Sequence, residues 1–242
     1  MEPVLIAANW KMYKTAPEAE AFFAQWRGAL VPQDRAVAFF PPFPLLSLVR
    51  SLLPSGQRLG GQNAHEAEEG AFTGEISGAM LRDAGCTYVL LGHSERRHIF
   101  GETDLRIAAK VTAAFRSGLR PVLCVGERGE EREAGQTLEV ILGQLAAGLG
   151  QAPPARGFDV AYEPVWAIGT GKVARPEDAA QAHAAIRDWL EVRRCGNDAR
   201  ILYGGSVKPG NAAALLATPG VQGLLVGGAS LDPQEFAAIV AA

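Results

Sequence analysis

The sequence predicts an α/β protein in which eight βα units close into a single-domain (β/α)8 barrel, and three observations support this fold. Short apolar runs recur along the 242-residue chain and alternate with segments that carry helix signals. Most runs are continuously apolar rather than alternating, as in strands that are buried on both faces of a parallel sheet. No Pro/Ser/Gly-rich linker or shift in composition divides the chain. One barrel over residues 1–242 therefore fits the pattern better than an open doubly wound sheet.

Eight of the apolar runs are predicted strands. They cover residues 4–8, 36–40, 58–61, 88–91, 121–125, 158–162, 200–203 and 223–226. The third run is the weakest of the eight because it is short and rich in glycine. Hydrophobic residues make up 48% of the chain, which is enough for the core that such a barrel needs.

Helix signals fill the intervals between these runs. Thr15 and Glu18 form a capping box ahead of a predicted helix over residues 19–30. Asp232 is a predicted N-cap, with Pro233 at the first helical position. Apolar residues at helical spacing predict two more helices. Their stripes are Leu105, Ala108, Val111 and Phe115 in the first, and Ala179, His183, Ile186 and Leu190 in the second.

The composition narrows the classes of function. A formal net charge of −3 argues against nucleic acid or a membrane surface as a partner, since both favour a basic excess. Cys86, Cys124 and Cys195 are odd in number and form no C-x-x-C pair, so we expect reduced thiols. The first residues lack the basic start of a signal peptide, and no apolar run approaches the roughly 20 residues of a membrane span. We therefore expect a cytoplasmic protein.

Polar residues concentrate where the predicted strands end. In a barrel of this kind, the carboxyl ends of the strands form the face that carries the chemistry. Asn9 and Lys11 follow the first strand, His93 the fourth and Glu163 the sixth, while glycine-rich turns follow the seventh and eighth. An amide, an ammonium, an imidazole and a carboxylate thus converge on one face. This convergence favours an enzyme over a barrel with a purely structural role.

Glu163 is the candidate base. It closes the sixth strand and is followed at once by Pro164, a tryptophan and a Gly-Thr-Gly sequence. A carboxylate on a rigid strand end, beside a mobile apolar flap, is the layout of a proton-abstracting site that must be closed to water. Closure would desolvate the carboxylate and strengthen it as a proton acceptor. Taken alone, an exposed glutamate before an ordinary loop explains the segment equally well.

His93 and Lys11 each have a functional and a structural interpretation. His93 opens a predicted helix, whose N-terminal amides disfavour the imidazolium and leave a neutral ring able to donate to a substrate oxygen. The alternative is a hydrogen-bonded structural histidine. Lys11 and Asn9 share a strand face by the two-residue period, so both can point into a pocket. An ammonium there stabilises a developing oxyanion, whereas most lysines are simply solvated.

The two glycine turns are candidate phosphate sites. Gly204, Gly205 and Ser206 follow the seventh strand, and Gly227 and Gly228 follow the eighth. Backbone N–H groups at these positions of a barrel often bind phosphate, although tight turns that need glycine are an equal explanation. The sequence contains neither a Walker-type motif nor a metal-ligand cluster. We therefore expect no nucleotide, no metal and no other cofactor.

These motifs together resemble the triosephosphate isomerase family over essentially the whole chain. The segments that carry the likeness are ANWK at 8–11, GHSERR at 92–97, AYEPVWAIGTG at 161–171, YGGSV at 203–207 and LVGGAS at 225–230. Segments 62–65, 70–75 and 124–127 also look familial. The resemblance implies a TIM barrel that isomerises dihydroxyacetone phosphate and D-glyceraldehyde 3-phosphate through an enediolate, in glycolysis and gluconeogenesis.

The resemblance also implies roles for the site residues. Glu163 removes the carbon-bound proton. His93 and Lys11 polarise the carbonyl and stabilise the enediolate, with Asn9 supporting them. Glu95 orients Lys11.

The phosphate and the lid are assigned by the same likeness. The substrate phosphate is expected on Gly169, Ser206, Gly227 and Gly228, and Tyr203 is expected to help hold the lid shut. The lid spans roughly residues 164–174 and includes Pro164, Val165, Trp166, Ala167, Ile168, Thr170 and Gly171. The family is homodimeric, and its third βα loop enters the neighbouring subunit near the site. A homodimer is therefore implied, in which Thr73 touches the region of Asn9 or His93 of the partner subunit.

Two rival interpretations remain. Another phosphate-binding barrel enzyme, such as an aldolase or a biosynthetic isomerase, is the first. An aldolase needs a lysine at a buried mid-strand position to form a Schiff base, whereas Lys11 and Lys172 flank a strand tip and the lid. The second is an inactive barrel kept as a binding or scaffold protein. Such a protein should have lost Lys11, His93 or Glu163, and all three are present.

Overall fold

The computed structural model describes residues 2–150, 157–168 and 174–242, and over these residues the chain forms a closed barrel of eight parallel strands. The strands are β1 Val4–Asn9, β2 Arg35–Phe40, β3 Arg58–Gly61, β4 Tyr88–Leu91, β5 Arg120–Val125, β6 Asp159–Tyr162, β7 Ile201–Tyr203 and β8 Gly223–Val226. Each strand pairs with the next, and β8 pairs with β1 to close the barrel. The predicted fold is confirmed, and no predicted strand boundary differs from the observed one by more than a residue.

Helices cover the outside of the barrel. They are α1 Ala16–Trp26, α2 Leu46–Leu52, α3 Gly78–Asp83, α4 Ser94–His98, α5 Asp104–Arg116, α6 Gly129–Glu133, α7 Thr137–Leu149, α8 Pro176–Val192, α9 Pro209–Leu216 and α10 Pro233–Ala241. Short 3₁₀ turns cover Phe43–Leu45, Val165–Ala167 and Gly228–Leu231. In the part of the chain that the structure describes, none of the helices has the length and apolar character needed to cross a membrane.

Two helix predictions need correction. The helix predicted over residues 19–30 is α1, which begins directly after the Thr15 cap and ends at Trp26. Gly28 and Pro32 follow closely, and neither residue favours helix continuation. In α5, Leu105 is 85% exposed and does not belong to the buried stripe. The buried face includes Lys110, whose ammonium is anchored by the Glu102 carboxylate.

The interior of the barrel explains the glycine-rich third strand. Side chains alternate along each strand, so that Leu5 and Ala7 fill the barrel while Ile6 and Ala8 pack against the helices. A Cβ atom on Gly60 would lie 2.3 Å from the Phe40 ring, which occupies that space inside the barrel. The glycine is therefore required by its neighbour, and the weakest of the predicted strands is a real one.

His183 is a buried titratable group in α8 and carries a stability prediction. Its Nδ1 lies 3.1 Å from the Gly220 carbonyl oxygen, which fits a neutral ring that donates from Nδ1. Burial lowers the pKa of His183 to about 4. The His183 ring therefore binds a proton below about pH 6.5 in the unfolded chain but only below about pH 4 in the folded chain. Stability is lost as the pH falls from about 6.5 to about 4.

We expect the free energy of unfolding to fall by about 1.4 kcal/mol per pH unit across that window through His183 alone. Urea unfolding at pH 7 and pH 5 measures this loss, and the His183→Gln variant should lack it. The exposed His98 provides the control, since replacing it by glutamine should change the pH slope much less. Equal slopes in the parent and His183→Gln proteins would contradict the prediction.

Candidate active site

The carboxyl ends of the strands surround a cavity of about 460 Å³. It is lined by seven residues predicted to bind or convert substrate, together with Ile168 of the lid. The seven are Asn9, Lys11, His93, Glu163, Ser206, Gly227 and Gly228. Residues from β1, β4, β6, β7 and β8 thus meet at one place, as expected for the catalytic face of a barrel.

Glu163 lies at the end of β6 and is buried. One carboxylate oxygen accepts the backbone N–H of Ser94 at 2.8 Å, and the other lies 3.0 Å from Nε2 of His93. Burial alone raises the pKa of this carboxyl. The His93 ring and the Ser94 N–H override that effect and hold the pKa of Glu163 below its usual range. The group is therefore ionised at neutral pH, which is the form that a general base needs.

His93 directly precedes α4 and caps it. Its Nδ1 accepts the backbone N–H of Glu95 at 3.3 Å, so the ring proton resides on Nε2, the nitrogen that faces Glu163. Burial lowers the pKa of His93, but the neighbouring Glu163 carboxylate outweighs it and raises the pKa. The Glu95 N–H does contact Nδ1, but the raised pKa runs against the predicted bias towards a neutral ring, because the Glu163 carboxylate stabilises the imidazolium.

Lys11 lines the cavity, but not for the predicted reason that it shares a strand face with Asn9. The strand β1 ends at Asn9, so the two residues do not share a strand face. Lys11 instead has φ +52° and its backbone N–H donates to Oδ1 of Asn9 at 3.0 Å. Its ammonium lies 2.6 Å from a carboxylate oxygen of Glu95, the contact expected of an orienting residue. The two-residue period failed because a turn replaces the last strand residues.

The glycine turns follow β7 and β8, which lie three and four strands around the barrel from β4, the strand that precedes α4. A Cβ on Gly227 would lie 3.5 Å from Cε of Lys11, so this turn passes close to the ammonium. Gly228 opens a 3₁₀ turn, and its neighbour Ser230 donates its backbone N–H to the Gly227 carbonyl. Ser206 lines the same cavity. Both predicted phosphate turns therefore border the cavity that holds the candidate base.

The first half of the predicted lid lies in the described residues. Pro164 follows Glu163, and Val165, Trp166 and Ala167 form a 3₁₀ turn that brings Ile168 to the cavity. The predicted Gly169, Thr170 and Gly171 lie outside the described residues. Tyr203 is buried, and burial raises the pKa of its hydroxyl to about 12. The Ala174 backbone acts against this rise, but the Tyr203 hydroxyl makes no hydrogen bond within the described residues.

Glu127 is a site residue to which the sequence did not assign a role. It follows β5 and is fully buried, and burial raises the pKa of its carboxyl. The carboxylate accepts Nε1–H of Trp166 at 2.8 Å and the hydroxyl of Tyr162 at 3.2 Å. Its backbone oxygen accepts the N–H of Val165 at 3.1 Å. Glu127 thus fixes the start of the lid. Its position at a strand end was visible in the sequence, but its partners were not.

Two other kinds of site, a metal centre and a Schiff-base lysine inside the barrel, can be sought among the described residues. No group of three or more His, Cys, Asp and Glu side chains is arranged there to hold a metal ion. The fully buried lysine of these segments is Lys110, which lies in α5 and contacts Glu102 and Asn63. It is on a helix outside the strands, so it is not placed to form a Schiff base in the barrel.

Comparisons with known proteins agree with this geometry. The family model described as triosephosphate isomerase matches residues 4–242. The chain is 51% identical over 248 residues to the triosephosphate isomerase of Nitratidesulfovibrio vulgaris strain DP4, covering 98% of this chain and 99% of the relative. It is 50% identical over 241 residues to that of Aquifex aeolicus, with 98% of each chain covered. Identity to that of Thermus thermophilus is 47% over 246 residues, covering 99% of this chain and 98% of the relative.

Proposed function

The chain belongs to the triosephosphate isomerase family, and from this premise we propose that Glu163, His93 and Lys11 carry the reaction. The enzyme interconverts dihydroxyacetone phosphate and D-glyceraldehyde 3-phosphate, a step of glycolysis and gluconeogenesis. This reaction moves a proton between two adjacent carbons of a phosphorylated triose. It therefore needs a base, a group that polarises the carbonyl and a place for the phosphate.

The observation that carries the proposal is that a buried carboxylate, an imidazole Nε2 and an ammonium open on one cavity. Without substrate, Glu163 is bonded to His93 and Ser94. A substrate oxygen that accepts the Nε2–H of His93 would release the carboxylate from that contact. Glu163 would then be free to take the proton from the carbon next to the carbonyl.

Lys11 supports the developing negative charge of the enediolate. An ammonium in a cavity shielded from water stabilises an oxyanion more strongly than it does in bulk solvent. Asn9 accepts the backbone N–H of Lys11 and so fixes the turn that carries it. Glu95 holds the ammonium in place through the 2.6 Å contact. We assign Asn9 and Glu95 the role of positioning Lys11.

The phosphate is assigned to the turns after β7 and β8. Gly227, Gly228 and Ser206 line the cavity there, and we assign the phosphate to their backbone N–H groups, with Gly169 as a further ligand from the lid. The lid residues from Pro164 to Ile168, with Thr170 and Gly171, would exclude water from the enediolate, which protects it from elimination. Tyr203 would help to hold the lid closed, since its buried hydroxyl makes no hydrogen bond within the described residues and is available to a lid residue.

A coupled assay tests the proposed function directly. Purified protein is given D-glyceraldehyde 3-phosphate together with a dehydrogenase that oxidises NADH as it reduces dihydroxyacetone phosphate. We expect NADH oxidation that depends on the protein and is largely lost in a Glu163→Gln variant. An inactive barrel would give no signal, and an aldolase would cleave a larger sugar phosphate without converting this triose.

We further propose that the protein is a homodimer. A second cavity of about 220 Å³ shares Asn9, Lys11 and His93 with the first. Large apolar side chains are exposed around it and on the segment that bears Thr73. They include Met12, which is 92% exposed, and Tyr13, Phe72, Met80, Ile99 and Phe100. An exposed apolar surface of this kind supports association with a second copy, in which Thr73 contacts the region of Asn9 or His93 of the partner subunit.

The dimer is tested by Thr73→Arg, which would place a charge and a longer side chain in the proposed interface. We expect the unaltered protein to sediment as a dimer and the variant to dissociate at micromolar concentration with a loss of activity. Gln181→Arg is the matched control, because Gln181 is exposed on α8, far from the β3 segment around the barrel. A fully active monomer of the unaltered protein in analytical ultracentrifugation would refute the proposal.

A cytoplasmic location and a single domain over residues 1–242 complete the proposal. The family premise supports both, since the substrates are soluble metabolites and the matched region spans residues 4–242.

A further inference from the structure

Helix α4 is a short element that carries three groups of the site. His93 caps it, Ser94 donates its backbone N–H to Glu163, and Glu95 contacts the Lys11 ammonium. The helix has five residues, and a helix this short has little stability of its own in water. Contacts from outside the helix must therefore hold it in place.

Arg97 supplies such contacts on the side of the barrel. Its Nε donates to the Gly92 carbonyl at 2.7 Å and its Nη2 donates to the Cys124 carbonyl at 3.1 Å, while Nη1 pairs with the Asp104 carboxylate. The side chain is only 6% exposed. One guanidinium thus joins the residue that precedes His93 to strand β5. The planar fork of arginine presents its donors to both carbonyls in one fixed geometry, whereas an ammonium is a compact point charge on a flexible stem.

Gly92 leaves the space that this guanidinium occupies. It has φ +71°, and a Cβ at this position would lie 2.9 Å from Nη2 of Arg97 and 3.1 Å from the Cys124 oxygen. The glycine therefore serves both a left-handed backbone conformation and the close approach of Arg97. Strand β5 in turn supports the base, because the Val125 carbonyl accepts the backbone N–H of Glu163 at 2.8 Å. Arg97 thus links the backbone of the His93 turn to the strand that borders Glu163.

We propose that Arg97 is a positioning residue, which fixes the Gly92–Ser94 backbone so that His93 and the Ser94 N–H keep their placement against Glu163 and the substrate. Arg97 lines neither cavity at the strand ends and acts through its neighbours. The inference rests on the proposed function, because it assigns the effect to His93 and Glu163 as reacting groups.

The competing explanation is that Arg97 only stabilises the start of α5 through Asp104. The two explanations differ in which contacts matter. Asp104 is 44% exposed, and an ion pair of this exposure contributes little. Arg97→Lys keeps the charge that pairs with Asp104 but loses the fork that reaches both carbonyls. Asp104→Asn removes the ionic contact and leaves the fork.

The test compares these variants in the isomerase reaction. We expect Arg97→Lys to lower kcat by about 10-fold or more with KM within about twofold, because the phosphate turns lie across the cavity. Asp104→Asn should keep both constants within about twofold of the parent enzyme. In Arg97→Ala, added methylguanidinium should restore part of kcat by filling the vacated space. Where Arg97→Ala does not fold, Arg97→Lys and Asp104→Asn decide the matter.

A second readout separates this proposal from the proposed function. The ¹⁵N resonances of the His93 ring should move in Arg97→Lys and stay in place in Asp104→Asn. This measurement needs no turnover, so a protein without isomerase activity would refute the function while leaving the Arg97 test intact. Normal kcat with unchanged His93 resonances in Arg97→Lys would overturn the proposal. The proposal would also be overturned if the fall in kcat in Arg97→Lys only matched the fraction of the protein that is unfolded.

Discussion

Shortening Glu163 to aspartate is expected to lower kcat by about 10²-fold or more, because proton transfer needs the base in contact with the carbon-bound proton. The change withdraws the carboxylate by roughly 1 Å while keeping its charge. The effect should be large here because Glu163 has little freedom to compensate. Its backbone N–H is bonded to Val125, and a Cβ on the neighbouring Gly126 would lie 1.7 Å from the Glu163 carbonyl oxygen.

Steady-state kinetics in both directions measures this loss, and kcat should fall much more than KM rises. Glu20→Asp is the matched control, since it removes the same methylene from an exposed position of α1 and should leave both constants unchanged. Turnover near the parent value in Glu163→Asp would remove Glu163 from the role of base.

Replacing Lys11 by methionine is the second change with a large expected effect. Methionine keeps the apolar stem and removes the ammonium, so the cavity loses the cation that we propose for the enediolate. We expect kcat to fall by about 10² to 10³-fold and KM to rise as well, because the substrate is itself an anion. The Glu95 carboxylate, left without its partner, adds to the loss by repelling the substrate.

Two further variants identify the source of this effect. Lys208→Met removes a lysine that is exposed at the rim of the same cavity and should act mainly on KM, by a small factor. Lys11→Met combined with Glu95→Gln should recover the part of the loss that comes from the unpaired carboxylate. Equal losses of activity in Lys11→Met and Lys208→Met would contradict the role of Lys11 as a positioned cation and would indicate a general effect of charge.

The strands could be predicted closely because most of them are continuous apolar runs between turn residues. This pattern held even for β3, where Gly60 leaves room for the Phe40 ring. The residues of the cavity could be predicted because a parallel barrel brings all carboxyl ends of its strands to one face. Periodicity and topology were sufficient for these features, since neither depends on the conformation of single side chains.

The remaining features depend on contacts between residues that are distant in sequence. Lys11 takes a left-handed conformation at a turn, which a two-residue period does not reveal. The pairing of His93 with Glu163 joins β4 to β6 and changes the pKa of both groups. Leu105 is exposed, whereas Lys110 lies on the buried face of α5 and pairs with the buried Glu102. Such partners are set by the tertiary fold, so local patterns carry no signal of them.

Exchange with solvent reports whether Glu163 removes a proton from carbon. The enzyme converts D-glyceraldehyde 3-phosphate in D₂O, and ¹H NMR reports which carbon positions acquire deuterium. We predict deuterium at the reacting carbon of the product, and a loss of this incorporation in Glu163→Gln that parallels the loss of isomerisation. Isomerisation and deuterium incorporation that both persist unchanged in Glu163→Gln would contradict this role of Glu163.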